Sequence, residues 1–364
     1  MTINGVRDGS VTAMSRTVAS SLAVLSTTPV PAAAETFAAL AFSMAGRLAD
    51  DVRAVLRTHI ADDAVAQAGA LLAEALADGE VELTAHETEL ARQCLSAAGV
   101  DSRWLPAGGA PAAPTTPAMP EYRFSPAPDG PAPELLAAAT SVVGWTPGLH
   151  GLWQTLRTSR RATAEPVWLA EATVDADLVE LTAEIQHRLA AAGEVPPRVE
   201  VFTPQTALTD YHRRALDRAG LVWLAPELPE LQVARVYDGA DPDGSPYFTP
   251  HHPHTTGPER DRLLAYLEGA TVVLADIADG ADVLEPESGR AVPMAFRTDG
   301  TWVWTDAIAY YLRQHGLAPE PGLAGHVLAA TGRPSAASPL TVARALVAVA
   351  DPEFDEPARL TRWV

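Results

Sequence analysis

Three imidazoles in four residues, His251-His252-Pro253-His254, form the densest group of potential metal ligands in the chain. Neutral imidazole is the commonest protein metal ligand, and Asp238, Asp241 and Asp243 lie just upstream in YDGADPDGS. His251, His252, His254 and Asp241 are therefore the candidate ligands of a zinc or other divalent ion, which would make the chain a metal-assisted hydrolase. The spacing argues against this. Adjacent histidines do not easily chelate one ion, and no H-E-x-x-H helix or H-x-H strand accompanies them. A solvated loop cluster accounts for the same residues. The acids imitate a calcium loop, but no glutamate stands at the twelfth position counted from Asp238 or Asp241, which leaves a polar turn.

A second group lies in residues 298–316, TDGTWVWTDAIAYYLRQHG. Two-residue spacing places Trp302 and Trp304 on one strand face, and Tyr310 and Tyr311 follow on a helix. Aromatic side chains with arginine, here Arg297 and Arg313, are the usual composition of interface hot spots. The same residues would also fill the seam between a hairpin and a helix. Nucleophilic catalysis has little support: there is no G-x-S-x-G elbow, and the single cysteine, Cys94, has only His86 nearby, two helical turns away. Glu285 and Glu287 form an acid pair, but EPESG is a turn composition.

The chain contains no lysine, all 26 basic residues being arginine, so a Schiff base, a pyridoxal-phosphate anchor and a phosphate-binding P-loop are all excluded. Base composition explains this most simply, since Asn4 is the only asparagine and isoleucine occurs five times. The sharper alternative is selection against lysine-directed tagging, testable with lysines placed at Arg53 or Arg188, which helical periodicity puts on exposed faces. The 46 acids against 26 arginines give a formal charge of −20, which disfavours nucleic acid and anionic membrane surfaces and fits a basic protein partner. One cysteine cannot make an internal disulfide, and Cys94 reads as a small core residue. No run approaches the roughly 20 apolar residues that span a bilayer. Residues 16–35 loosely imitate a secretion signal, but serines, threonines and prolines interrupt the apolar part, and a cytoplasmic protein is expected.

The elements that must position these groups follow from periodicity. Residues 1–33 read as a flexible segment. Residues 34–104 read as a bundle of three helices, the first carrying Phe37, Leu40, Met44, Leu48, Val52 and Leu56 on one face and the third opening with a Thr84/Glu87 capping box. Residues 105–133 hold nine prolines in 29 positions and read as a semi-rigid linker, with Tyr122 and Phe124 as a short anchor. Residues 134–250 alternate strands (166–173, 198–203, 221–225, 231–237) with helices (177–192, 208–219), the pattern of an α/β layer without a G-x-G-x-x-G. Residues 251–364 add a helix at 259–268, a strand at 271–277, a hairpin at 291–304 turning on Asp299-Gly300, and helices at 306–315, 322–330 and 340–349. The expected class is α+β or α/β and multidomain.

The aromatic block with the following LAPEPGLAGHV resembles a carboxy-terminal module of uncharacterised proteins from high-GC actinobacteria. The resemblance covers residues 292–327, under a tenth of the chain, and carries no assigned catalytic residue. Some small acidic proteins of such genomes are immunity partners of toxins. The expectation is thus a non-enzymatic interaction protein of immunity, antitoxin or assembly-partner type that binds a basic protein and needs no cofactor.

Overall fold

The computed structural model describes residues 33–77, 81–105, 122–144, 146–158, 164–275 and 277–350. They form an α+β structure. The segment expected to be flexible at residues 1–33 and the signal-like stretch fall almost wholly outside the described residues, as does the proline-rich part at 106–121.

Among the described residues the amino-terminal region contains four helices, one more than the periodicity predicts: α1 (Ala33–Ser43), α2 (Asp50–Ala61), α3 (Val65–Ala77) and α4 (Ala85–Ala97). The first predicted helix breaks at Gly46, whose φ of 78° suits glycine and where a Cβ would stand 2.5 Å from the Tyr211 ring. Phe37, Leu40, Met44, Leu56, Leu72, Cys94 and Leu95 are fully buried between these helices. Thr84 caps α4 as expected, its hydroxyl accepting from the Glu87 N–H while Glu87 accepts from the Thr84 N–H.

The next region is a sheet of five strands. β1 (Arg123–Ser125) is followed by α5 (Pro133–Thr140), β2 (Leu149–Thr158), β3 (Glu165–Ala172), α6 (Leu178–Ala191), β4 (Val199–Phe202), α7 (Asp210–Leu216) and β5 (Gly220–Leu224). β3 and β4 run parallel through the α6 crossover, and β2 lies antiparallel to β3. The other edge of β2 is shared, β5 pairing with its first half and β1 with its second. Within the expected linker Arg123–Ser125 is a strand, and at the expected anchor the Phe124 ring packs edge-on against Tyr211. Alternate residues fill two cores, Leu152, Trp168, Ala170, Val199 and Val201 against α6 on one face, and Trp153, Val167, Leu169 and Phe202 on the other.

The fourth strand predicted for this layer shrinks to β6 (Gln232–Val233) and belongs to another sheet. Two short antiparallel pairs follow, β7 (Gly239–Ala240) with β8 (Pro246–Tyr247) and, beyond α8 (Gly257–Gly269) and β9 (Thr271–Leu274), β10 (Gly280–Ala281) with β11 (Arg290–Val292). β12 (Phe296–Thr298), β13 (Trp302–Thr305), α9 (Asp306–His315), α10 (Pro321–Ala329) and α11 (Pro339–Ala350) complete the order, and the sheet runs β6-β13-β12-β9. The hairpin turn is not the primed turn predicted from Asp299-Gly300. Thr298 faces Val303 across a four-residue loop, only Gly300 has positive φ (96°), and the Asp299 carboxylate accepts the N–H groups of Thr301 and Trp302 at 2.9 Å each. α11 bridges the two regions. The Leu340 N–H donates to Glu171 of β3 at 2.9 Å, and Leu340 packs where a Cβ on Gly151 would stand. Among the described residues no helix is long and apolar enough to cross a membrane.

Candidate functional site

The aromatic block is core. Trp304 is fully buried and donates through Nε1 to the Leu267 carbonyl (3.3 Å), Trp302 is 8% exposed, and Tyr311 is buried with its hydroxyl accepting from the Val283 N–H. These side chains therefore present almost no surface to a partner. They were expected on one strand face, but β13 is buried on both faces, so alternation does not turn either indole outward. Arg297 is equally structural: it pairs with Asp306 and donates to the carbonyls of Glu268 and Ala270, joining β12 to the end of α8. Tyr310 donates to Asp282 at 3.0 Å. Arg313, half-exposed beside Glu268, is the only one of the six predicted interaction residues that faces solvent substantially.

The histidine loop is also not arranged as a ligand set. His252 sits between the Asp238 carboxylate (Nδ1, 3.0 Å) and the Ala318 carbonyl (Nε2, 2.9 Å), so both ring nitrogens are engaged in holding the loop. His254 turns its Nδ1 to the His252 carbonyl, His251 is exposed, and Asp241 lies in the β7–β8 turn. No group of three potential ligands converges among the described residues. Two more aspartates hold histidines in the same way. Asp282 accepts His315 (2.7 Å) and Tyr310, and Asp299 accepts His326 (2.6 Å) and Tyr266 (2.9 Å). Burial would raise the Asp299 carboxyl, yet the backbone N–H groups of Trp302 and Thr301 with His326 and Tyr266 hold it below the ordinary range.

Sequence reasoning missed the largest charged cluster among the described residues, which lies where the helical bundle meets the first sheet. Arg53 and Arg57 of α2 both pair with Glu200 of β4, the Arg57 contact at 2.9 Å, and His212 of α7 reaches the same carboxylate at 3.2 Å. Beside it, Asp50 pairs with Arg157 of β2 and with Arg198 (2.9 Å), and Glu165 pairs with Arg157 and Arg198 at 3.1 and 2.8 Å. Burial alone would raise Glu200, but Arg53 and Arg57 outweigh it and hold the carboxyl far below the ordinary range. His212 moves down instead, because burial penalises its charge more than Glu200 rewards it. Four guanidinium groups already face three carboxylates there, a balance of +1, so a neutral His212 is the consistent state. Its Nε2–H then donates to Glu200 and its Nδ1 accepts from Thr209 (2.7 Å), with the Phe42 ring stacked at 3.8 Å. Arg53, expected on an exposed helix face, is 2% exposed. This cluster is closed, and its geometry is that of a seam between elements.

The open site lies along β6. Glu230, Leu231, Gln232, Val233, Arg235, Trp302 and Glu320 line a groove of about 450 Å³. Its wall is the outer side of the sheet: the Gln232 and Ala234 N–H groups donate inward to Thr301 and Val303 (2.9 Å each), and strand alternation turns those of Val233 and Arg235 outward. The Arg235 N–H is met by the Glu320 carboxylate at 3.2 Å, which also takes the Arg235 guanidinium. The Trp302 indole lies under this edge against Gly322, where a Cβ would come within 2.9 Å of the ring. The sequence gives no signal for this groove beyond Trp302 itself, because β6 is only two residues long.

Set against known proteins, the chain matches no family model, no curated protein and no solved structure.

Proposed function

We propose that the chain is a non-enzymatic interaction protein that binds a basic protein, in the manner of an immunity, antitoxin or assembly partner. In this reading it acts in the cytoplasm, it needs no cofactor, and its bundle, linker, α/β layer and hairpin-helix region behave as a multidomain unit. The carrying observation is the β6 groove, where an open sheet edge lies over Trp302 with Glu230 at one end and Glu320 at the other. Two features add support. The chain carries 20 more negative than positive charges, which speeds encounter with a basic partner. The carboxylates Asp238, Asp282 and Asp299 are each engaged with a histidine within the fold, leaving the exposed acids to face outward.

Affinity purification of the tagged chain from its native cells tests this. One stoichiometric basic protein should be recovered, with an association rate that falls as salt is added. Recovery of the chain alone at every salt concentration overturns the proposal.

A further inference from the structure

Resting on that reading, we propose how the partner is held: an extended segment carrying a basic side chain adds to the outer edge of β6 as a further strand. The backbone supplies the first argument. β6 ends its sheet, β13 occupies only its inner side, and the Val233 N–H and C=O point into the groove. Exposed edges of this kind are usually blunted by proline, charge or a covering element. Here Pro229 closes only the approach before the strand, while Glu230, Leu231, Gln232 and Val233 line the groove.

Glu320 supplies the second argument. Its carboxylate oxygen lies 3.2 Å from the outward Arg235 N–H, the place a neighbouring strand would fill with a carbonyl. The edge thus already binds an acceptor at one end, and Glu320 marks where an added strand stops. Short of the Arg235 N–H that Glu320 holds, the edge from Leu231 to Val233 offers about 7 Å at the usual strand rise, room for roughly three residues.

Charge and shape select the occupant. Glu320 is neutralised by Arg235 at 3.3 Å, whereas Glu230 is exposed and has no ion pair among the described residues. Trp302, 8% exposed, lies under the groove and offers only the edge it leaves uncovered to an alkyl stem. A lysine or arginine on the added strand would meet both. The other edge, β9, exposes Val272 and Leu274 but no charged side chain of its own, and it lacks this selectivity.

The test selects a phage-displayed library of random twelve-residue peptides on the full chain and measures the enriched peptide, fluorescently labelled, by anisotropy. Enriched sequences should combine β-branched residues with lysine or arginine. Val233→Pro, which removes the outward N–H without touching the inward ladder, should weaken binding at least tenfold, and Glu230→Arg should do the same with the melting temperature unchanged. Because the proline variant could fail to fold, the same peptide N-methylated at alternate amides provides a control on the peptide side, and it should lose binding to the unaltered chain. Enrichment of acidic or purely apolar peptides, equal binding by Val233→Pro, or full binding of the N-methylated peptide overturns the proposal. So does a concentration-dependent dimer, lost in Val233→Pro, with no peptide enriched, since that outcome gives the edge to a second copy of the chain. If Val233→Pro still recovers the basic partner from native cells with full yield, the added strand falls and the binding function stands. If no partner is recovered while peptides bind the edge as described, the function falls and the edge chemistry stands.

Discussion

Arg53 of α2 and Glu200 of β4 form an ion pair across the seam between the helical bundle and the sheet, with their side chains only 3% and 1% exposed. Arg57, His212 and the Ala41 carbonyl complete the hydrogen bonding of the two groups. A buried pair of this kind adds little net stability over an apolar contact of the same shape, because desolvation offsets the attraction. It does make the docking of α2 specific: any other register leaves a charge in the core without a partner.

Removing one partner should therefore be far worse than removing all. Glu200→Gln is expected to lower unfolding free energy by about 3–5 kcal/mol, while the triple replacement Arg53→Met, Arg57→Leu, Glu200→Leu recovers most of it. Urea denaturation of these two variants and the parent measures this. Arg53→Lys belongs in the same series, and it should behave as a disruptive change, since an ammonium cannot reproduce the guanidinium fork. A stability of Arg53→Lys equal to the parent would contradict the buried geometry.

Two glutamates give opposite pH dependence. Glu200 is held below its ordinary value of 4.5, so the stability it contributes is complete above that pH and is lost as the pH falls toward its folded value. Glu194 is pushed up to about 7 by burial, with only a hydrogen bond from Trp168 (3.2 Å) and Arg198 opposing the shift. Its raised value means that stability is full below about 4.5 and declines as the pH rises through 7, by roughly 3 kcal/mol at one pH unit per 1.36 kcal/mol. Glu194→Gln should flatten the fall between pH 5 and 8 and leave the acid limb unchanged. An identical profile for parent and variant over that range would remove Glu194 from the account.

What could be read from the sequence depended on whether a residue obeyed its own period. Amphipathic helices such as α6 and α9 were legible because Leu181, Ile185 and Leu189, or Ile308, Tyr311 and Leu312, repeat every three or four residues. The capping box at Thr84 was legible for the same local reason. β2 was not, although it is the strand that β1, β3 and β5 all join. It is buried on both faces and places Gln154 and Arg157 inside, and a strand whose buried arginine is satisfied by the distant Asp50 shows no alternation. The seam cluster escaped for that reason too, since its members come from residues 50 to 212 and no spacing joins them. Trp302 stood out in the sequence as part of the aromatic block, but sequence could not distinguish an indole under a groove from one on a surface.

Cys94 offers a direct check on the bundle core. It is fully buried, and burial raises its thiol to about 12. In the folded protein it should react with iodoacetamide or a disulfide reagent at pH 8 at least a hundredfold more slowly than in urea, where the thiol returns to its ordinary range. Rapid modification of native protein would mean that α4 opens readily from α1 and α3.

The two indoles of β13 should separate in their consequences. Trp304 has no exposed surface and holds the Leu267 carbonyl, so Trp304→Ala should cost about 3–5 kcal/mol through the cavity it leaves and the acceptor it strands. Trp302 is held by backbone and by a glycine: its N–H is accepted by Asp299, and its ring tip lies where a Cβ on Gly322 would stand. Gly322→Ala should therefore displace the Trp302 ring and leave the Trp304 core intact. Thermal melting should show a smaller loss for Gly322→Ala than for Trp304→Ala. Near-ultraviolet dichroism should change in both, while the affinity of a peptide held along β6 should fall in Gly322→Ala in proportion to the displacement of the ring. A Gly322→Ala protein with parent dichroism and parent melting temperature would show that α10 does not press on this indole, and the groove would lose its rigid floor.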